Sequence, residues 1–180
     1  MYEAELTNSC FPAQGGPEPA PMTIGEMLRN SAGQLPDQPA LKELDYTGKI
    51  CRTWTYTELL TDVERLARAL ASRHAEGARI AVYANNVPEW VLLELACGFA
   101  GVILVTVNPA YQKNELKYVL EQSRSEAIYY VGDFRGNPMQ EIADSVCDQI
   151  PAVAHRILLT DHDTLFAGED RGALRDPEPS

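Results

Sequence analysis

The second half of this chain repeats one pattern, in which a short apolar run is followed by an amphipathic segment and then by another apolar run. The runs have the length of strands and lie at residues 79–84, 102–107, 127–131 and 156–160. The intervening segments have helical spacing and begin near Asn86, Asn114 and Asn137. Repeated strand–helix units with short connections form parallel sheets through right-handed crossovers. The sequence therefore predicts an α/β fold, a partial doubly wound parallel sheet flanked by helices.

Two local features sharpen this prediction. The run Val102–Val107 is continuous and β-branched, which is typical of a strand buried on both faces. Asn86 and Asn137 are side chains of the kind that caps helices, and Pro88 and Pro138 follow them closely. We therefore expect a strand buried on both faces at 102–107 and helices capped by these two asparagines.

The first half of the chain predicts a helix, a hairpin and a second helix. Thr23 and Thr55 each precede a glutamate by three residues, which is the spacing of a capping box. Between the two boxes, residues 40–44 and 50–55 flank a glycine-containing loop and predict a β-hairpin. In the second helix one stripe is apolar (Leu59, Val63, Leu66 and Leu70), and the polar positions left for solvent are Asp62, Glu64, Arg65 and Arg68.

Composition at the two ends differs from the middle. Prolines at 12, 17, 19 and 21 predict a flexible leader over residues 1–22, and a polar stretch with Pro177 and Pro179 predicts a flexible tail over residues 166–180. Residues 23–165 are then one α/β subdomain.

Charge and cysteine content exclude several function classes. The 180 residues carry 15 basic and 26 acidic side chains, a formal charge of -11, which disfavours nucleic acid and anionic membranes as partners. The four cysteines are widely separated, so reduced thiols in a cytoplasmic protein are expected rather than disulfides or a zinc site. The apolar stretch from Trp90 to Val107 contains Glu94 and two glycines, and a buried helix followed by a strand explains it better than a transmembrane segment.

Candidate chemistry is sparse. The loop Gly132–Asn137 precedes a helix and contains Arg135, so it could hold a phosphate, but a glycine-permitted turn is the preferred interpretation. His74 is expected to complement the carbonyl end of a helix as a cation. Asp161-His162-Asp163 is expected to be a solvated loop rather than a metal site. Glu94 is expected at an exposed edge, and Trp54 and Trp90 in the core. No catalytic, cofactor-binding or metal-binding residue is assigned.

Several motifs, taken in order, resemble the opening segment of the AMP-forming acyl-CoA synthetases, an adenylate-forming, AMP-binding superfamily. Thr53–Leu59 is similar to the family's T-Y-x-E-L motif, and Asn86–Trp90 to its N-x-x-E-W helix start. The most specific match is Ala96–Pro109, which resembles A-G-A-x-x-V-x-x-N-P, and Glu115–Ser123 follows as the family's next helix does. Phe134–Met139 leans toward the fatty-acid–CoA ligase branch. The resemblance runs from Met22 to Thr160, with departures at Ala78 and Phe99.

This resemblance implies a two-step reaction in which a carboxylate and ATP give an acyl-adenylate and pyrophosphate, and CoA then displaces AMP. Fatty acid, ATP, Mg²⁺ and CoA would be the family's substrates and cofactors. The family's Ser/Thr/Gly-rich loop ending in P-K-G, its ribose-binding Asp and its C-terminal catalytic Lys have no counterpart in this sequence. The expectation is therefore a truncated N-terminal part of a ligase that is inactive alone and binds no cofactor itself.

Two alternatives stay open. The chain could be a stand-alone α/β binding module, or a half-enzyme that is complemented by a partner chain. Faces that are covered in longer family members would be unmatched here, and self-association through exposed apolar surface is expected.

Overall fold

The computed structural model describes residues 15–16 and 21–175, so the predicted leader lies almost wholly outside the described residues. The predicted sequence of elements is confirmed. In chain order they are α1 (Ile24–Gln34), β1 (Pro39–Leu44), β2 (Ile50–Thr55), α2 (Tyr56–Arg73), β3 (Arg79–Tyr83), α3 (Pro88–Ala100), β4 (Ile103–Val107), α4 (Lys113–Ser123), β5 (Ala127–Tyr130), α5 (Met139–Cys147), β6 (His155–Leu158) and α6 (His162–Leu165).

The strands form two sheets. β1 and β2 pair as an antiparallel hairpin, and the other four make a parallel sheet in the order β4-β3-β5-β6. Helices α1, α2 and α3 pack on one another, whereas α4 packs on α5. Right-handed crossovers place these two groups on opposite faces, because the chain steps from β3 to β4 in one direction and from β4 to β5 in the other. The predicted α/β architecture with a doubly wound parallel sheet, an N-terminal helix and a hairpin is confirmed.

The strands buried on both faces are β3 and β5, and the prediction that 102–107 is such a strand is wrong. Ile80 to Tyr83 and Ala127 to Tyr129 have no exposed surface. β4 instead lies at the edge of the sheet, where Ile103 is 46% exposed. A β-branched run favours strand structure, but sheet order depends on pairings between distant residues that the run does not encode.

Both capping boxes form as predicted. The Thr23 hydroxyl accepts from the Glu26 backbone N–H at 3.1 Å, and Thr55 does the same with Glu58 at 3.2 Å. The apolar stripe of α2 is buried, as expected. Its polar positions, however, are half-buried rather than left to solvent, because Glu64 pairs with Arg29 of α1 and Arg65 pairs with Glu169.

The two predicted asparagine caps do not form. α3 begins after Val87 and α5 after Pro138, and neither helix start has a side-chain cap. Pro88 does occupy the first turn of α3, as predicted. The Asn137 side chain is instead used in tertiary hydrogen bonds, which a local pattern does not reveal.

The segment after α6 contacts the body of the protein through residue 175. The Arg175 guanidinium donates to the carbonyl oxygens of Ala71 and His74 at the end of α2 and of Ala100 at the end of α3. A positive charge stabilises the carbonyl ends of helices. The predicted boundary at residue 165 and the predicted flexible tail over residues 166–180 stay predictions. Among the helices of residues 21–175, none combines the length and hydrophobicity that a membrane span requires.

His74 ends α2 and is buried against the start of β5. Its Nδ1 lies 2.7 Å from the Glu126 carboxylate and its Nε2 lies 3.0 Å from the Tyr129 hydroxyl, while the His155 ring packs edge-on at 5.3 Å. Burial lowers the pKa of His74, which Glu126 opposes and His155 and Arg73 reinforce. His74 therefore has the structural role expected of it at the end of α2, but its burial favours the neutral imidazole over the cation.

This lowered pKa gives a pH dependence of stability. The unfolded chain binds a proton at His74 near pH 6.5 and the folded chain does so only at lower pH, so the free energy of unfolding falls as pH drops below about 6.5, by at most about 1.4 kcal/mol per pH unit from this group. Urea unfolding between pH 7.5 and 5.5 measures it. His74→Gln should flatten the slope. An unchanged slope in that variant would contradict the assignment.

Candidate functional site

A crevice opens where the connections leave the carboxyl ends of neighbouring strands in opposite directions. β3 and β5 are adjacent, and the connections that follow them lead to α3 and α5 on opposite faces of the sheet. Ligands of open α/β sheets bind at such points. The crevice has a volume of about 640 Å³ and is lined by residues 85–87, Pro109, Phe134 and Arg135 of the carboxyl-end loops, and by Glu43, Leu44, Asp45, Tyr46 and Cys51 of the hairpin.

The charges in this crevice are mixed. Arg135 supplies a cation, and its guanidinium lies 5.1 Å from the centre of the Phe134 ring. Glu43 and Asp45 stand on the hairpin side. The Thr47 hydroxyl and the backbone N–H groups of the hairpin loop lower the pKa of the Asp45 carboxyl, so it is ionised at neutral pH. A negatively charged ligand would therefore meet one cation and two anions here.

The loop Gly132–Asn137 is the predicted glycine-permitted turn. Arg135 and Gly136 both have left-handed backbone, with φ of 52° and 80°, and Phe134 bridges to Asn137. Glycine suits this left-handed backbone at position 136, because it has no Cβ atom to clash. The turn brings Asn137 back over the ends of the strands.

Asn137 joins the loop after β5 to the end of β3 and to the loop after β4. Its Nδ2 donates to the Tyr83 hydroxyl at 3.1 Å and to the Pro109 carbonyl at 2.8 Å, and its Oδ1 accepts from Gln112 at 2.9 Å. The buried Tyr83 hydroxyl in turn donates to the Tyr111 carbonyl. We call this set of contacts the Asn137 latch. It fixes the loops after β4 and β5 relative to one another and to the end of β3.

A second cavity, of about 330 Å³, lies between α2, α3 and α6 and contains a buried carboxylate that sequence reasoning missed. Glu89 is 3% exposed and accepts from Arg52 at 2.8 Å and from His162 Nε2 at 3.1 Å. Burial alone would raise the pKa of Glu89, but its own backbone N–H, Arg52 and His162 together lower it. Glu89 is the glutamate of the Asn86–Trp90 motif, but its partners lie 37 and 73 residues away, so its burial and its contacts could not be predicted locally.

The remaining candidate residues have structural places. Asp161 accepts from the Thr164 backbone at the start of α6, so this segment is a short helix rather than a solvated loop. Within residues 15–16 and 21–175, no group of three metal-ligating side chains comes together. Glu94 is exposed, and Trp54 and Trp90 are partly buried against the core, as predicted.

The latch makes a prediction about stability. Asn137→Ala should lower the free energy of unfolding by roughly 1–3 kcal/mol, because it leaves the Pro109 carbonyl and the Tyr83 hydroxyl short of a partner. Asn86→Ala, an exposed asparagine in the same crevice, is the matched control and should cost little. Urea unfolding compares the two. Equal losses would show that the latch has no special role.

Comparison with known proteins agrees with this architecture. The mitochondrial medium-chain acyl-CoA ligase of Macaca fascicularis is 33% identical over 129 residues, which are 71% of this chain and 20% of that protein. The human counterpart is 32% identical over the same length. The chain thus spans about a fifth of the length of these relatives.

Solved structures show the same fold. The N-terminal domain of FACL13 from Mycobacterium tuberculosis superposes with a TM-score of 0.69 and 24% identity, covering 87% of this chain and 38% of that one. A Mycobacterium tuberculosis fatty acyl CoA synthetase gives the same score and identity over 88% of this chain and 30% of its own. The sequence model of the AMP-binding enzymes matches residues 28–179. The chain, from its first helix onward, therefore belongs to the AMP-binding enzyme family.

Proposed function

We propose that this chain forms the N-terminal scaffold of a fatty-acid–CoA ligase and does not catalyse the reaction by itself. The family match over residues 28–179 is the observation that carries the proposal. The names of the relatives, medium-chain acyl-CoA ligases, point to fatty acids as the carboxylate. The reaction would be ATP-dependent formation of an acyl-adenylate, followed by transfer of the acyl group to CoA.

The electrostatics of the described residues support a scaffold role. Transfer at a phosphate requires cations or N–H donors that neutralise the developing charge. Several arginines are already engaged: Arg52 with Glu43 and Glu89, Arg65 with Asp62 and Glu169, and Arg73 and Arg175 with backbone carbonyls. The crevice cation Arg135 shares the lining of the crevice with Glu43 and Asp45.

A reducing compartment is part of the proposal. Cys51, Cys97 and Cys147 are free thiols, and burial raises the pKa of Cys97 to about 12 and of Cys147 to about 11, so both stay protonated and unreactive. We place the chain in the cytoplasm. In this it differs from the mammalian relatives, whose names describe them as mitochondrial.

The test is exchange of labelled pyrophosphate into ATP with a medium-chain fatty acid and Mg²⁺. The purified chain should give no exchange above a blank without enzyme, because under this proposal it does not itself supply the groups that stabilise charge on the transferring phosphate. The full-length human relative is the positive control.

Exchange by the purified chain alone would contradict the proposal. Exchange that appears only when the chain is mixed with a relative lacking its own N-terminal segment would show that the chain is a complementing half of the enzyme. Saturable fatty-acid binding without exchange in any mixture would favour a stand-alone binding module.

A further inference from the structure

The two edges of the parallel sheet are protected differently. At one edge, β6 carries Arg156, whose guanidinium lies 2.9 Å from the Asp148 carboxylate. At the other edge, β4 lies in a stretch, residues 95–112, that contains no Asp, Glu, Lys or Arg, although the chain has a net charge of -11. β4 also contains no proline and pairs with β3 in unbroken register. Edges that stay unpaired are normally guarded by charges, prolines or bulges.

The free side of β4 presents backbone groups that lack partners. The Ile103 N–H donates to the Ala78 carbonyl at 2.8 Å, which fixes the side of the strand that faces β3. Alternate residues of a strand bond to the same neighbour, so Leu104 and Thr106 direct their N–H and C=O groups outward. Among residues 15–16 and 21–175, no hydrogen bond reaches these groups.

We propose that β4 pairs edge to edge with β4 of a second copy of this chain, antiparallel about a two-fold axis near Val105. Antiparallel pairing of identical edges sets Leu104 of one copy opposite Thr106 of the other, so every outward N–H and C=O of these residues finds a partner. A two-fold interface uses the same patch on both copies and closes on itself. This inference does not rest on the proposed function.

Charge and exposure favour a second copy as the occupant. Two chains that each carry -11 repel one another, and residues 95–112, which contain β4, add no charged side chain of their own to such an interface. Ile103 on β4 is 46% exposed, and Tyr118 on the neighbouring helix α4 is 65% exposed. Pairing would cover apolar surface beside the new backbone bonds. A second copy offers the same row of outward N–H and C=O groups, so a two-fold pairing satisfies both edges at once.

Residue-specific amide exchange tests the proposal on the full chain. As protein concentration rises, exchange at the Leu104 and Thr106 amides should slow, and light scattering should show the mass of a dimer. The Ile103 and Val105 amides point toward β3 and are internal controls, protected at every concentration. A monomer at all concentrations, or no change at Leu104 and Thr106, would overturn the proposal.

Substitutions in β4 test whether this edge, and not another surface, forms the dimer interface. Thr106→Pro removes an outward N–H and should weaken dimerisation roughly tenfold or more, whereas Thr106→Val keeps that N–H and should not. Ile103→Lys places a cation at an exposed position of the strand and should have the same effect as Thr106→Pro without a backbone change. Circular dichroism checks that each variant is folded. A dimer that persists in folded Thr106→Pro and Ile103→Lys would show that β4 is not the interface.

Discussion

Burial of β3 and β5 on both faces is the constraint on which the rest of the structure depends. Residues 80–83 and 127–129 have no exposed surface, so their backbone groups must be satisfied within the sheet and their side chains by helices on either side. Most polar groups then lie at the ends and edges of the sheet. Among the described residues these include the carboxyl-end crevice, the Glu89 cavity, the His74 cluster and the free edge of β4.

Several charged side chains hold elements of the structure together. Glu89 joins the hairpin to α6 through Arg52 and His162, and Arg175 binds the ends of two helices. The Asn137 latch does the same with neutral groups at the carboxyl ends of the strands. A rigid platform results, with loops held in fixed relative positions. Such a platform suits a family in which catalysis depends on positioning a nucleotide and an acyl group, and it supports the scaffold role proposed for this chain.

Local features of the fold could be predicted from the sequence, and contacts between distant residues could not. The Thr23 and Thr55 capping boxes and the hairpin follow from patterns within a few residues, and all formed as expected. The edge position of β4 and the burial of Glu89 depend on which elements become neighbours, and no short pattern carries that information. Asn137 shows the conflict directly, because its side chain is a good helix cap in sequence but in the fold hydrogen-bonds the end of β3 and the loop after β4.

The central claim is that this chain is a scaffold in which several cations hold the structure together and which does not hold a nucleotide alone. Isothermal titration calorimetry of Mg²⁺–ATP into the purified chain tests it most directly. The account predicts no saturable heat up to about 1 mM nucleotide, which corresponds to a binding free energy weaker than about -4 kcal/mol. A saturable isotherm with a micromolar dissociation constant would contradict it.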